Sequence, residues 1–336
     1  MPACSAMINL SMRILRPFLS FMVLAAGATG VRADSTIRVG HFPNVTHVQA
    51  LVAHALSRRG KGWFEERLGP GTKIDWFVYN AGPSATEAIF ANSIDLTYIG
   101  PSPAINAYAR SGGEEIRIVS GAVNGGAGLV VHADSNLKTA ADFRGKKIAT
   151  PQLGNTQDVS CRAWLTAGGL KITQLGGDAQ VVPTANAYQL ALFQQRRVDG
   201  VWTVEQWVSR LEMEAGGKVL VEQPNSPTTV LVSSVKFLKE HRELVKKFVA
   251  AHRALTDWIR KNPTEAQKLV ISELEAETRV QISRELIAHA WKRIVLTNEL
   301  PRAELDKFVA NAKAAGFLRG APDMGRLIDE SLANSH

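Results

Sequence analysis

Cysteine is nearly absent from this chain of 336 residues: only Cys4 and Cys161 occur. Cys4 falls in a leader expected to be removed, so no internal disulfide is expected in the remainder. Cys161 lies within an expected helix with no His or Asn partner motif, which reads as a small buried apolar side chain and not a catalytic thiol. Beyond the leader, no apolar run is long enough to cross a membrane. There is no internal repeat, no low-complexity tract, and no HExxH, paired-Cys, P-loop or GxSxG pattern. The formal charge is +8, but the Lys and Arg are scattered, with no dense basic run and no interleaved aromatics. Nucleic acid is therefore not an expected partner. The surplus reads as a solvated surface that mildly favours anions.

The N-terminus has the grammar of a signal peptide. Arg13 and Arg16 precede the apolar run FLSFMVLAAGA, and Val31-Arg32-Ala33 offers an A-x-A-like site. Cleavage is expected between Ala33 and Asp34, with Met7 and Met12 as alternative starts to Met1. The apolar run is too short for an anchor. No cysteine stands beside the cleavage site, which argues against a lipid anchor. Removing residues 1–33 takes away Arg13, Arg16 and Arg32 and no acid, so the mature charge is +8 − 3 = +5.

What is present is alternation. TIRVGHF, KIDWFVY, DLTYIG, KKIAT, AQVVP and DGVWT read as strands, with helical stretches between them, including one over about Thr46 to Leu68 that breaks near Gly60. Such βα alternation predicts parallel sheets with helices on both faces. From about Val235 helical periodicity dominates, and Pro263 after Asn262 fits a first helical turn behind its cap. Two extended segments, SGAVNGGAGLVV (120–131) and VEQPNSPTTVLVSS (221–234), read as the two strands of a hinge. The organisation expected is a lobe from 34–123 and 223–336, and a second lobe from 124–222.

Small and polar residues gather where strands give way to helices. TPQLGNTQD supplies Asn155 as N-cap and Asp158 three residues on, and alone it is a well-capped helix. The device recurs in HFPNVTH, in NAGPSATE, where Ser84 and Glu87 have capping-box spacing, and in IGPSPA, with Ser102 as expected cap and Pro103 at the first helical position. In open α/β sheets the carboxyl ends of strands line the ligand crevice. Helix N-termini there offer unpaired N–H groups to an anion, and none of these segments contains Lys or Arg. A helix end contributes only ~0.3–1 kcal/mol to an exposed charge, whereas a hydrogen bond to a charged group contributes ~1.5–3 kcal/mol. Several such bonds in a dry cleft are needed to approach the ~8 kcal/mol of micromolar binding. Phe42, Trp202 and Trp207 are candidate walls for an apolar ligand tail; core packing explains them as well.

These residues also carry a resemblance. GHFPNVTH, NAGPSATEAI, DLTYIGPSPAINAYARSGG, GKKIATPQLGNTQDV and LFQQRRVDGVWTVEQW resemble the periplasmic substrate-binding proteins of ABC importers for aliphatic sulfonates, nitrate and taurine, over nearly the whole mature chain. The resemblance implies a type II periplasmic binding protein fold, two α/β lobes joined by two crossover strands with a helical C-terminal region, and closure of the lobes over a ligand. It assigns ligand binding to Asn44 and Thr46; Gly82, Pro83 and Ser84; Gly100, Pro101 and Ser102; Gly125 and Gly126; Gly154, Asn155, Thr156 and Gln157; and Trp202 and Glu205. Phe42 joins them as a wall. Ser84, Ser102 and Gln206 depart from the family pattern, which often has an acid or amide, Asn and Pro there.

The expected function is a non-enzymatic, monomeric periplasmic binding protein that takes a small sulfonate-like anion to a membrane permease with its ATPase. No cofactor and no metal are expected. The alternatives are an enzyme of the pyrimidine-precursor type on the same fold, and a sensor for a membrane receptor. His41, His47 and His54 cluster early, but the i, i+7 spacing of His47 and His54 is too long for one ion without a ligand from elsewhere. They read as cap and surface histidines.

Overall fold

At Gly125 and Gly126, both with positive φ, the chain leaves one β-sheet and enters another. Only glycine adopts this pair of conformations without strain. The structure, a computed structural model, describes residues 35–320 and 322–333. The expected leader lies outside these residues.

The first sheet has six strands in the order Ile294–Leu296, Ile116–Gly125, Pro227–Ser234, Leu96–Ile99, Ser35–His41 and Thr72–Val78. The second has five, in the order Gly217–Glu222, Ala127–His132, Gly200–Val204, Lys147–Thr150 and Gln180–Pro183. The chain passes between sheets twice, from Ile116–Gly125 to Ala127–His132 and from Gly217–Glu222 to Pro227–Ser234.

The prediction of parallel sheets needs correction. Ser35–His41 runs parallel to both of its neighbours, and Lys147–Thr150 does likewise. Pro227–Ser234 is antiparallel to its neighbours, and so is Ala127–His132. A strand that arrives from the other sheet has no helix crossover to turn it round, so it pairs in the opposite sense. The short strand Ile294–Leu296, within the region read as helical, pairs only at the sheet edge.

The fold class is α/β of the periplasmic-binding kind. The first sheet is buried on both faces. One face packs Leu51, Phe64, Phe248, Leu255 and Leu269, and the other packs Ile89, Ile105, Leu305 and Phe308. Arg242–Lys261 carries the most regular apolar stripe, Val245, Phe248, Val249, His252, Leu255, Thr256 and Ile259 all being buried. That is helical spacing on a core-facing stripe. The second sheet also has a core on each side. No described helix is long and apolar enough to cross a membrane.

Candidate functional site

Strand ends of the two sheets meet at a narrow cleft with room for little more than a water molecule. From the first sheet's side come Phe42, Asn44, Thr46 and His47, then Asn80, Ala81 and Gly82, then Gly100 and Pro103. From the other side come Pro151, Asn155, Thr156, Gln157, Asn186 and Val204, with Thr228 on the returning strand.

The Thr150–Asp158 turn is built by its acid. Asn155 Oδ1 accepts the Asp158 N–H at 2.8 Å, the cap that the sequence predicts. The Asp158 carboxylate accepts from Thr150 Oγ1 at 2.8 Å and from the Gly154 N–H at 3.0 Å. It also pairs with Arg162 at 3.0 Å, and both side chains are buried. The acid is thus fully engaged behind the loop. Thr156 and Gln157, the first two residues of the helix Thr156–Ala167, keep backbone N–H groups with no partner among the described residues. Thr46 and Gly82 do the same on the facing side.

Two predicted caps are absent. The helix Gly82–Phe90 begins before Ser84, behind Ala81, and has no side-chain cap. Pro101–Arg110 begins before Ser102, behind Gly100, and also lacks one. This second helix start is a poorer anion donor than expected. Pro101 and Pro103 have no N–H, and Ser102 gives its own to Thr156 Oγ1 at 3.3 Å. The bond nonetheless links the two sides of the cleft. Gly100 permits it: a Cβ there would lie 2.2 Å from Thr156 Oγ1. Ser84 exchanges hydrogen bonds with Gln152 at 3.0 and 3.3 Å, and Asn80 Nδ2 donates to the Pro151 carbonyl at 3.3 Å. Asn44 Oδ1 accepts from Trp207 Nε1 at 3.0 Å and from Asn186 Nδ2 at 3.4 Å.

Of the residues singled out in the sequence, Phe42, Asn44, Thr46, Gly82, Gly100, Asn155, Thr156 and Gln157 share this cleft. Others support it from outside its lining. Pro83 and Pro101 fix first helical turns. Gly126 lies beneath Thr46, where a Cβ would come within 3.1 Å of Thr46 Cγ2. The Gly125 carbonyl accepts from Thr228 Oγ1. Gly154 makes the turn with positive φ. Two assignments change. Trp202 is not a wall: it is buried edge-on against Trp164 in the second sheet's core. Glu205 is fully buried, accepting from Arg293 at 3.0 Å and from the Ser209 N–H at 3.1 Å, so it serves as a structural ion pair. The Glu205–Gln206 peptide is cis, and Gln206 bonds Val45 N–H at 3.0 Å and the Pro43 carbonyl at 3.2 Å, bracing the first loop.

Sequence reasoning missed Asn186 and Thr228, and passed over His47 and Val204 within the quoted segments. Asn186 opens the helix Asn186–Gln194 after the strand Gln180–Pro183, one more strand-to-helix junction of the type already recognised. Asn80, Ala81, Pro103 and Pro151 lay inside the quoted segments without being chosen. Thr228 sits within a strand and had no local signal.

The histidine reading is also corrected. His41, His47 and His54 are all buried. Burial, with His41 nearby, pushes the His47 pKa well below its ordinary value, so the ring is neutral at pH 7. Its partner is Phe42, whose ring centroid lies 4.3 Å away. The cleft lining therefore contains no Lys, Arg, Asp or Glu, and its one titratable side chain is uncharged.

Beside the cleft is a larger groove of about 490 Å³, with Ala185, Leu190, Trp207, Val280 and Ile282 in its wall and Arg210 as its one charged lining residue. Asn44, Asn80 and Asn186 line both spaces.

A two-sheet α/β body with its cleft at converging strand ends has the architecture of the periplasmic binding protein fold. The sequence agrees: the chain belongs to the NMT1-like family, which matches residues 32–273. A Bacillus subtilis (strain 168) protein, provisionally named an aliphatic sulfonates-binding protein, is 27% identical over 261 residues, 74% of each chain. Among solved structures, the alkanesulfonate-binding protein SsuA from Xanthomonas axonopodis pv. citri, bound to MOPS, aligns with TM-score 0.68 and 21% identity, covering 84% of this chain and 92% of that one. The periplasmic nitrate-binding protein NrtA from Synechocystis PCC 6803 aligns with TM-score 0.71 and 14% identity, covering 90% and 88%. The family and these neighbours are solute-binding proteins of transporters, not enzymes. A further relative is the nitrate/nitrite binding protein NrtA of Nostoc sp. (strain PCC 7120), 28% identical over 144 residues, 43% of this chain and 28% of that one.

Proposed function

We propose that this chain is the periplasmic solute-binding component of an ABC importer, and that it captures an aliphatic sulfonate and delivers it to the permease. The observation that carries the reading is the joining of two unlike spaces through Asn44, Asn80 and Asn186. One is a neutral cleft with free N–H groups on Thr46, Gly82, Thr156 and Gln157. The other is a largely apolar groove. Once the cleft opens, the first space offers an anionic head hydrogen bonds without a fixed charge, and the second offers an organic tail an apolar wall. Nitrate has no tail and leaves the groove unused.

In this reading residues 34–123 with 223–336 form one lobe and 124–222 the other. They swing about Gly125–Gly126 and the 223–226 segment, and the Ser102–Thr156, Ser84–Gln152 and Asn44–Asn186 contacts form on closure.

Calorimetry with a series of alkanesulfonates, taurine, MOPS, nitrate and sulfate tests this. Saturable binding of one sulfonate per chain is expected, without turnover. Affinity should rise with tail length by up to ~0.8 kcal/mol for each methylene buried. The double variant Asn155→Ala/Thr156→Ala should weaken binding while its circular dichroism stays that of the unaltered protein. Binding of nitrate with no response to any sulfonate would refute the ligand class.

A further inference from the structure

His41 ends the strand Ser35–His41 and His54 lies on the helix Val48–Arg58. Glu273 and Glu277 are one turn apart on Pro263–Thr278. His41 Nε2, His54 Nδ1 and Glu277 Oε1 form a nearly equilateral triangle with sides of 3.3, 3.0 and 3.1 Å. Glu273 Oε1 lies 2.8 Å from His54 Nδ1. Both carboxylate side chains are 1% exposed, His41 is fully buried and His54 reaches solvent at one edge. The second Glu277 oxygen is buried with no hydrogen-bond partner.

Protons leave one side of this triangle without a hydrogen bond. Each of the two nitrogens can bring one proton, and the carboxylate brings none when ionised. If both protons point to Glu277, its oxygen accepts both and the 3.3 Å side carries no hydrogen bond. If one points along that side, a nitrogen lone pair faces the carboxylate. A single cation at the centre satisfies all three sides at once. Tetrahedral zinc holds N and O ligands at about 2.0–2.2 Å, which corresponds to ligand–ligand edges of about 3.3–3.6 Å. The three atoms need to spread by only a few tenths of an ångström. Arg58 Nε donates to both oxygens of Glu273 at 2.9 and 3.0 Å, which holds that carboxylate in the outer layer beside His54.

We propose that His41, His54 and Glu277 form a buried three-residue site for a divalent first-row metal ion, zinc by its donor set, with Glu273 beside His54 as an outer carboxylate. The ligands come from a strand, a helix and a distant helix, so no short sequence pattern marks the site. His41 directly precedes Phe42 at the head of the cleft's first loop, and the ion would pin that loop to the helix Pro263–Thr278. The inference does not depend on the identity of the anion.

The test uses the purified chain without a histidine tag, stripped with a chelator and equilibrated with one equivalent of zinc. One zinc per chain by mass spectrometry after gel filtration is expected, with a higher thermal midpoint that a chelator reverses. Glu277→Gln and His54→Gln should each bind zinc about 100-fold more weakly or worse, more than outer-shell changes produce. Cobalt in place of zinc should give the intense visible bands of tetrahedral coordination in the unaltered protein, a readout that needs no variant to fold. Substoichiometric zinc, unchanged affinity in a folded variant, or a cobalt spectrum of the hydrated ion would overturn the proposal.

Discussion

The cleft and the layer directly behind it handle charge in opposite ways, although they are built from neighbouring residues. Phe42, Gln157 and Val204 line the cleft. Their chain neighbours His41, Asp158 and Glu205 are buried among ionic partners: Glu277, Arg162 and Arg293. Alternation along a strand, or one step around a helix start, turns a side chain from one environment to the other. The front is left with dipoles and N–H groups, while the back fixes the loops with charge-assisted bonds. A cation in the front layer would bind any acid. Placed behind, the same charges give rigidity without offering a fixed counter-charge to the solute.

The strongest way to break this contrast is to strip a back-layer charge of its partner. Arg162→Leu leaves Asp158 buried and unpaired and should destabilise the fold by about 3–5 kcal/mol in urea unfolding. Adding Asp158→Asn should recover part of that loss. Full stability in the single variant would mean that the pair does not hold the loop.

A buried imidazole without a carboxylate partner sharpens the comparison. His252 sits between Tyr98 Oη and the Gly121 carbonyl, each at 2.9 Å. Burial lowers its pKa to about 4. Its folded value lies below its unfolded one of about 6.5, so the unfolded chain binds the extra proton. Stability contributed by the neutral ring is present above pH 6.5 and is lost as pH falls towards 4, by up to about 3 kcal/mol. Urea unfolding of the unaltered protein and of His252→Gln between pH 7 and 4 should show that slope in the first and a shallower one in the second.

Gly100→Ala attacks the front layer. Its backbone, at φ −72°, suits alanine, so the effect comes from the methyl group against Thr156. Overpacking of about 1–3 kcal/mol corresponds to roughly tenfold to 100-fold weaker ligand binding. Thermal stability should change far less than affinity, and calorimetry beside a melting curve separates the two.

The smallest effect expected is none. With His47 neutral and no other titratable side chain in the lining, sulfonate affinity should stay constant from pH 6 to 8. A tenfold change across that range would place a titrating group in contact with the ligand.

Much of the architecture was legible in local sequence. Strand and helix order follows from apolar period, the Asn155 cap from its spacing, and the two sheet-to-sheet passages from Gly125-Gly126 and the Pro-rich return. Much of the cleft was legible too, because small polar residues at strand ends have few other uses in a core. Less legible was how first turns begin. Pro101 and Gly82 start their helices earlier than Ser102 and Ser84 suggest, since the preceding glycine and alanine already take extended conformations.

Local sequence sets most of the secondary elements, their alternation and the lack of cations in the cleft loops, since these depend on residues close along the chain. Packing in three dimensions makes the crossing strands antiparallel, puts Trp202 in a core and Glu205 in an ion pair, and brings Glu277 to His41 and His54. Those outcomes depend on contacts between residues up to 236 positions apart, and such contacts are set by how sheets and helices close on one another, which no local pattern encodes.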